Sequence, residues 1–181
     1  IFTKTPATIS PIDRRIVLKK IKAASYQNVY FTTLNYGRLI SLTGREKPPT
    51  KEIDESFKKE GYSILLITGI ANPGLLKNHI EQFCDDIVHI KFPDHHKFSS
   101  NNIRHIEKKF NSIKNDRKIV LTTEKDAVRF DMLPKRAKIP DDILERFFYI
   151  PIEIEFLDSK EQFNNQIIKY VRENKKYRII S

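Results

Sequence analysis

The sequence is poor in cysteine, in glycine and in long apolar runs, and each shortage excludes something. Its one cysteine, Cys84, cannot form a disulfide within the chain, and such usage is typical of a reducing compartment. No apolar run approaches the roughly 20 residues that a membrane-spanning helix needs. The five glycines form neither G-x-x-x-x-G-K-S/T nor G-x-G-x-x-G, so both common phosphate-binding loops are missing.

The composition favours a globular chain with an anionic partner. Apolar residues make up 39% of the 181 residues and charged residues 31%, which suits one ordinary domain with a real core. The net charge of +10 favours a nucleic acid, a phosphorylated small molecule or an anionic membrane surface, although a solvated basic surface is an equal alternative. The basic residues are scattered and the aromatic residues are mostly phenylalanine, which indicates a core and predicts no nucleic-acid partner.

The only methionine is Met132, and the chain opens directly on an apolar segment, Ile1–Lys4. We therefore expect the chain to be part of a longer protein. A processed mature protein is the alternative.

Strands and helices alternate along the chain. Apolar runs between polar turns predict strands at Ile1–Lys4, Gln27–Thr33, Arg38–Leu42, Ile64–Ile67, Ile87–Ile90, Lys118–Thr122 and Phe147–Ile150. Periodic apolar positions predict helices with these buried stripes: Ile12, Ile16, Val17 and Ile21; Leu75, Leu76, His79, Ile80 and Phe83; Ile103, Ile106, Phe110 and Ile113; Phe163, Ile167, Tyr170 and Val171. A short helix is predicted at Lys125–Phe130. This order predicts an α/β fold, with a mostly parallel sheet flanked by helices, as a single domain over residues 1–181.

Other segments are predicted from turn and capping residues. We expect the polar stretch 43–62 to be an exposed connector, partly mobile, and residues 131–145 to form a loop. Asn72 is predicted to cap the second helix, with Pro73 at its first position. Ser159 and Gln162 have the spacing of a capping box at the start of the last helix.

The first candidate site is the turn Asp94–His95–His96, which follows the strand Ile87–Ile90. Ligands bind at the carboxyl ends of strands in open α/β sheets, so this turn is well placed for chemistry. An imidazole beside a carboxylate can accept a proton, orient an acidic base or bind a metal. Adjacent histidines point in different directions, so we expect one of them to face the site. The alternative is an exposed Asx turn around Asp94.

The second candidate segment is Thr123–Asp126, in the same position after the strand Lys118–Thr122, and we expect the two turns to face one site. Thr123 is predicted to cap the short helix, with the acids Glu124 and Asp126 favourably placed in its first turn. Lys125 at a helix N-terminus also suits an anion. Capping alone and capping with substrate contact are left as equal alternatives.

Three segments resemble a known family. Ile67–Pro73, Phe92–Phe98 and Leu121–Arg129, in this order and spacing, are similar to tetraacyldisaccharide 4'-kinase, the lipid A 4'-kinase. The resemblance implies a P-loop-kinase-related, Rossmann-like fold, of which this chain would be the C-terminal lobe. It also implies a phosphotransferase of lipopolysaccharide synthesis. The implied reaction moves the γ-phosphate of ATP, with Mg²⁺, to the 4'-hydroxyl of tetraacyldisaccharide 1-phosphate at the cytoplasmic face of the inner membrane.

The resemblance also implies roles for individual residues. His95 would be the catalytic imidazole, beside Asp94, and would pair with a carboxylate base from an N-terminal domain. His96 and the segment Thr123–Asp126, with Glu124 and Lys125, would line a substrate or nucleotide cleft. Because phosphoryl transfer depends on a P-loop and its metal, we expect this chain to be inactive alone, with ATP and Mg²⁺ bound mainly by the N-terminal domain.

Two other functions remain open from the residues alone. An Asp-His-His sequence also occurs in metal-dependent phosphoesterases, but those need further aspartate ligands, and Thr3–Thr5 and Thr68–Gly69 supply none. We therefore predict no metal site within the chain. The charge by itself would also suit a non-catalytic anion- or nucleic-acid-binding module.

Overall fold

The computed structural model describes residues 1–24, 26–45, 47–133 and 137–175. Its helices are α1 (Pro11–Lys20), α2 (Glu55–Glu60), α3 (Gly74–Glu81), α4 (Ser100–Ser112), α5 (Glu124–Asp131), α6 (Asp141–Leu144) and α7 (Lys160–Lys175). Its strands are β1 (Thr32–Tyr36), β2 (Ile40–Ser41), β3 (Ser63–Thr68), β4 (Asp86–Lys91), β5 (Lys118–Thr123), β6 (Phe147–Ile150) and β7 (Ile152–Phe156). No helix in this part of the chain is both long and apolar enough to cross a membrane.

The chain divides into two compact units, and the single domain over residues 1–181 stays a prediction. The terminal unit comprises Ile1–Asn35 and Glu153–Ser181, and the central unit comprises Tyr36–Ile152. Both candidate sites lie in the central unit.

The central unit contains the predicted α/β sheet. Its strand order is β2-β6-β5-β3-β4, in which β6, β5, β3 and β4 are mutually parallel and β2 is an antiparallel edge. The predicted strand Arg38–Leu42 therefore exists in shortened form. It pairs with β6, which comes more than 100 residues later, and not with the strand before it. The mostly parallel sheet flanked by helices is confirmed.

The strand β3 is buried along its whole length because helices cover both faces of the sheet. Its alternate residues belong to two different clusters. Leu65 and Ile67 pack with the predicted α4 stripe, whose members Ile103, Ile106, Phe110 and Ile113 are all buried. Ile64 and Leu66 pack on the other face with Leu76 and Ile80 of α3. These two clusters hold the carboxyl ends of the central strands in place.

Several predictions for the central unit are wrong at the level of local structure. The predicted connector 43–62 contains α2, which is capped by Asp54 and buries Phe57 completely. The predicted loop 131–145 contains α6, although residues 134–136 lie outside the described part, as does Glu46 of the connector. The helix α3 begins after Pro73, and Asn72 accepts only a 3.3 Å hydrogen bond from the Gly74 N–H.

The terminal unit departs further from prediction. The predicted strand Ile1–Lys4 is reduced to one bridge, from Phe2 to Phe31, and the next strand begins only at Thr32. The predicted stripe of α1 is not buried, since Ile12 is 71% exposed. In α7, Ile167, Tyr170 and Val171 are exposed as well, whereas Phe163 packs against Tyr30. In the described residues, β1 and β7 form a two-stranded sheet. The predicted capping box is also absent, because Ser159 has φ +56° where a cap needs extended backbone.

The predicted structural role of His79 is confirmed by aromatic packing. Its ring stacks on Tyr36 with centroids 4.2 Å apart and meets the edge of Phe83 at 5.6 Å. Burial lowers the pKa of His79 below its ordinary value of 6.5, so the neutral ring is favoured in the folded chain.

This burial predicts a pH dependence of stability. Just below pH 6.5 the unfolded chain binds more protons than the folded chain, so the free energy of unfolding should fall as the pH falls through that window. His79→Phe keeps the stacking and should flatten the dependence measured by urea unfolding at pH 5, 6 and 7. Part of the slope should remain, because burial, with the charges of Lys77 and Lys91, also lowers the pKa of His89. An unchanged slope in His79→Phe would contradict this account.

Candidate functional site

The site lies where three neighbouring strands of the central unit end. The strands β4 and β5 flank β3 on opposite sides, and all three run in the same direction. The turns that follow them therefore meet at one edge of the sheet. The predicted proximity of the two polar turns is confirmed by a 3.2 Å contact between Lys125 Nζ and Asp94 Oδ1.

Asp126 is the buried centre of this edge. Its side chain is 0% exposed, and its Oδ2 accepts hydrogen bonds from the Gly69 N–H at 2.8 Å and the Thr123 hydroxyl at 2.9 Å. Its Oδ1 accepts a 2.6 Å bond from Arg129 Nη1. Both carboxylate oxygens are thus committed to the protein itself.

These contacts involve two of the predicted cleft residues, Thr123 and Asp126. Thr123 does cap α5, since its side chain accepts from the Asp126 N–H at 3.2 Å, but only 1% of the residue is exposed. Asp126 therefore has no free carboxylate oxygen to offer a ligand, and Thr123 is almost fully buried. Thr123 and Asp126 connect the turn after β5 to the turn after β3. Asp126 lies so close to Gly69 that a Cβ atom placed on this glycine would be 3.0 Å from Asp126 Oδ1.

Arg129 is a site residue to which the sequence analysis assigned no role. Its Nη1 also donates to the Gly69 carbonyl at 2.9 Å, and its Nη2 lies 3.4 Å from His95 Nδ1. Apart from its place at the end of the family-like segment Leu121–Arg129, the sequence signal was its position three residues after Asp126 on a helix, where side chains meet. That spacing is too common to distinguish a site from a surface ion pair.

Asp94 is an ionised carboxylate at the partly exposed edge of the site. Partial desolvation alone would raise the pKa of Asp94, but hydrogen bonds from Lys125 and from the His95 N–H outweigh it and lower the pKa below its ordinary value. Asp94 is therefore ionised at neutral pH. Its Oδ2 lies 3.6 Å from His95 Nε2.

His95 projects outward from the turn. Its side chain is 76% exposed, and its backbone is left-handed, with φ +58°. This conformation costs a residue other than glycine on the order of 1 kcal/mol, and such strain concentrates at functional sites.

The left-handed turn predicts different stabilities for two substitutions. His95→Gly and His95→Ala both remove the same few contacts, but only glycine relieves the strain, at some cost in unfolded-state entropy. We expect the glycine variant to be the more stable by about 0.5–1 kcal/mol. Urea unfolding of the two variants measures the difference directly. Equal stability, or a more stable alanine variant, would show that the turn is unstrained.

His96, a predicted cleft residue, instead fixes the turn from the inside. Its ring stacks on Phe92 at 4.6 Å and meets the edge of Phe98 at 5.3 Å. Its Nε2 lies 3.0 Å from Asn102 Oδ1, which also accepts from the Ser99 N–H. His95 is therefore the exposed histidine of the pair, and the expectation that only one of them faces the site stays a prediction.

Glu124 and Lys125 retain the exposure that cleft residues require. Both line a cavity of about 220 Å³ with Ile70, Thr123 and Ile152. Within the described residues, no cluster of three or more histidine, cysteine, aspartate or glutamate side chains could hold a metal ion.

Comparison with known proteins now identifies the family. Residues 14–172 match the family model described as tetraacyldisaccharide-1-P 4'-kinase (LpxK). This chain belongs to that family. The kinase family resemblance seen in the three sequence segments is thus confirmed, and the segments Ile67–Pro73, Phe92–Phe98 and Leu121–Arg129 are those that build the site.

Curated relatives of the kinase family agree. The tetraacyldisaccharide 4'-kinase of Phocaeicola vulgatus is 38% identical over 177 residues, covering 96% of this chain and 46% of the relative. That of Bacteroides thetaiotaomicron is 37% identical over 182 residues, with the same coverage. The chain therefore spans about half the length of these relatives. A crystal structure of LpxK from Aquifex aeolicus, described as an "apo" form in complex with ATP, aligns with a TM-score of 0.41 and 15% identity, over 84% of this chain and 40% of that one.

Proposed function

We propose that this chain supplies one part of a tetraacyldisaccharide 4'-kinase. The whole enzyme would transfer the γ-phosphate of ATP to the 4'-hydroxyl of tetraacyldisaccharide 1-phosphate in lipid A biosynthesis. Membership of the kinase family supports the reaction class. The observation that carries the proposal for this chain is the exposed imidazole of His95, held in a strained turn at the carboxyl ends of the parallel strands.

His95 is the proposed catalytic group of this part of the enzyme. Its exposed ring can contact a carboxylate supplied by another part of the kinase. Asp126, the acid nearby, cannot take that role because it is buried and hydrogen-bonded within the chain. A hydrogen bond from the imidazole would orient that carboxylate and set its basicity toward the acceptor hydroxyl. Asp94 would assist by keeping a negative charge beside the ring.

ATP and Mg²⁺ are proposed to bind mainly outside this chain. The described residues contain no cluster of metal-ligating side chains, and the sequence has no P-loop motif. The residues present therefore do not fit a Mg²⁺–triphosphate group by themselves. By the same reasoning, a metal-dependent phosphoesterase has no supporting observation in the described part of the chain.

A chimaera tests the proposed function. In it, this chain replaces the matching 46% of the Phocaeicola vulgatus kinase. We expect the chimaera to transfer ³²P from γ-labelled ATP to tetraacyldisaccharide 1-phosphate, and the 181-residue chain alone to show no turnover. A folded chimaera with no activity, or turnover by the chain alone, would contradict the proposal.

Lys125 is the proposed anion contact in the cavity beside Asp94. The Lys125 side chain is 49% exposed and its Nζ lies 3.2 Å from Asp94 Oδ1, beside the strand ends, so it can bind a phosphate group of either substrate. Lys125→Met in the chimaera should raise one KM about tenfold with little change in kcat, as for a lost charged hydrogen bond in the ground state and the transition state alike. The matched control is Lys97→Met, which removes an exposed lysine from the neighbouring turn. Unchanged kinetics in Lys125→Met would leave Thr123–Asp126 as a helix cap only.

We also propose peripheral association with an anionic membrane at the cytoplasmic face of the inner membrane. The net charge of +10 supports it, because anionic lipids attract clustered and scattered basic side chains near their surface. Vesicles with and without phosphatidylglycerol provide the test. We expect sedimentation of the chain with the anionic vesicles alone, lost at high salt. Equal binding to neutral vesicles, or none to either, would contradict the proposal.

A further inference from the structure

We propose that Arg129 is a positioning residue that sets the proton of the His95 ring on Nε2. The proposal rests on the proposed function for its catalytic meaning, but its structural content stands on contacts within the central unit. The residue joins the buried carboxylate of Asp126 to the exposed imidazole, and no other described side chain contacts both.

The guanidinium of Arg129 is fixed before it reaches His95. Its Nη1 donates to Asp126 Oδ1 at 2.6 Å and to the Gly69 carbonyl at 2.9 Å. Its side chain is only 15% exposed, and that of Asp126 is fully buried. A planar guanidinium anchored at two acceptors has little freedom left, so the direction of its second nitrogen is determined by the buried contacts.

The second nitrogen faces one particular atom of the imidazole. Arg129 Nη2 lies 3.4 Å from His95 Nδ1, and a guanidinium has donors but no acceptor. Nδ1 must therefore be the acceptor, so the proton of the neutral ring lies on Nε2. The Nε2–H then lies on the exposed side of the ring, 3.6 Å from Asp94 Oδ2, whose negative charge favours the same tautomer.

The backbone and Arg129 restrain the His95 ring in different ways. The left-handed turn is held by the hydrogen bond from the His95 N–H to Asp94 Oδ1, at 3.0 Å. That bond fixes the position of the Cα atom but not the rotation of an exposed side chain. Arg129 supplies the missing restraint, and it couples that restraint to the Thr123–Asp126 cap.

The first experiment reads the tautomer of His95 in this chain by ¹⁵N-resolved NMR of its imidazole. Arg129→Lys keeps a positive charge beside Asp126. It replaces the planar guanidinium, whose two nitrogens contact Asp126 and His95 at once, with a single ammonium group. We expect the wild-type ring to carry its proton on Nε2, and the ratio of the two tautomers to shift about fivefold toward Nδ1–H in the variant, the equivalent of one hydrogen bond of about 1 kcal/mol. Arg117→Lys is the matched control, because Arg117 donates to the Glu60 carbonyl, away from the site.

The second experiment is a double-mutant cycle in the chimaera. Arg129→Lys should lower kcat about ten- to a hundredfold with little change in KM, as for misplacement of a catalytic group. In a His95→Ala background it should have no further effect, because Arg129 acts through the imidazole.

Two results would overturn the proposal: the same His95 tautomer ratio in wild type and Arg129→Lys, or additive losses of kcat in the cycle. An inactive wild-type chimaera would contradict the proposed function alone, since the NMR measurement would still decide the role of Arg129. If Arg129→Lys fails to fold, Asp126→Asn in the same chain is expected to loosen the guanidinium and to shift the tautomer ratio in the same direction. An unshifted ratio there would also count against the proposal.

Discussion

Replacing Asp126 with alanine is expected to lower the free energy of unfolding by about 3–5 kcal/mol, the cost of breaking a buried ion pair by removing one partner. The substitution removes the carboxylate that accepts hydrogen bonds from the Arg129 guanidinium, the Gly69 N–H and the Thr123 hydroxyl. Gly69 and Thr123 are buried and the Arg129 side chain is only 15% exposed, so the lost contacts are not replaced without rearrangement of the strand ends. Urea unfolding of the purified chain, followed by circular dichroism, measures the loss.

Two further variants show whether burial is the cause. Glu124→Ala removes an exposed acid from the same helical turn and should cost less than about 1 kcal/mol, the typical value of a charge near a helix terminus. Asp126→Ala combined with Arg129→Met should cost less than the sum of the single changes, because no buried charge is then left without a partner. Similar losses for Glu124→Ala and Asp126→Ala would mean that Asp126 is only a helix-capping acid.

Replacing His95 with alanine is expected to lower kcat of the chimaera by about 10²–10⁴, the range for loss of a group that assists proton transfer. The stability of the chain should hardly change, because the side chain is 76% exposed and makes no buried contact. Rates measured at saturating ATP and lipid separate this effect from binding. The combination of a large kinetic loss with a small structural one is what distinguishes a catalytic imidazole from a packing residue.

The other histidine of the turn supplies the contrasting case. His96 packs on Phe92 and Phe98 and contacts Asn102, so His96→Ala should destabilise the chain more than His95→Ala does. Lys97→Ala, an exposed change in the same turn, should leave both kcat and stability near their original values. If activity survives His95→Ala within a few-fold, the imidazole has no catalytic role and the proposed mechanism fails.

The fold of the central unit could be predicted where local pattern and burial agree. The strand β3 is apolar at four consecutive positions, and the stripe of α4 repeats with helical period, so each predicts its own burial. The segments α2 and α6 could not be predicted, because each buries essentially one apolar residue in a polar stretch, Phe57 and Ile143. A single buried apolar residue cannot show the periodic spacing from which a helix is predicted.

The terminal unit shows the opposite failure. The apolar spacing of α1 and α7 is real, yet Ile12 and Tyr170 are exposed in the described structure. A helical stripe indicates which face seeks a partner, but burial requires that a partner be present. The sequence pattern of a single helix contains no information about that second surface.

The sequence by itself determined the family, the parallel sheet and the two polar turns at its edge, and the family resemblance singled out His95. Those features depend on short-range chemistry: which residues pack in strands, which allow turns, and which types sit together in a motif. Only the tertiary structure decided that Asp126 is buried and saturated, and that Arg129 reaches from it to His95. The reason is physical, because whether a charged side chain faces a ligand or its own protein depends on neighbours that are 30 to 60 positions away along the chain.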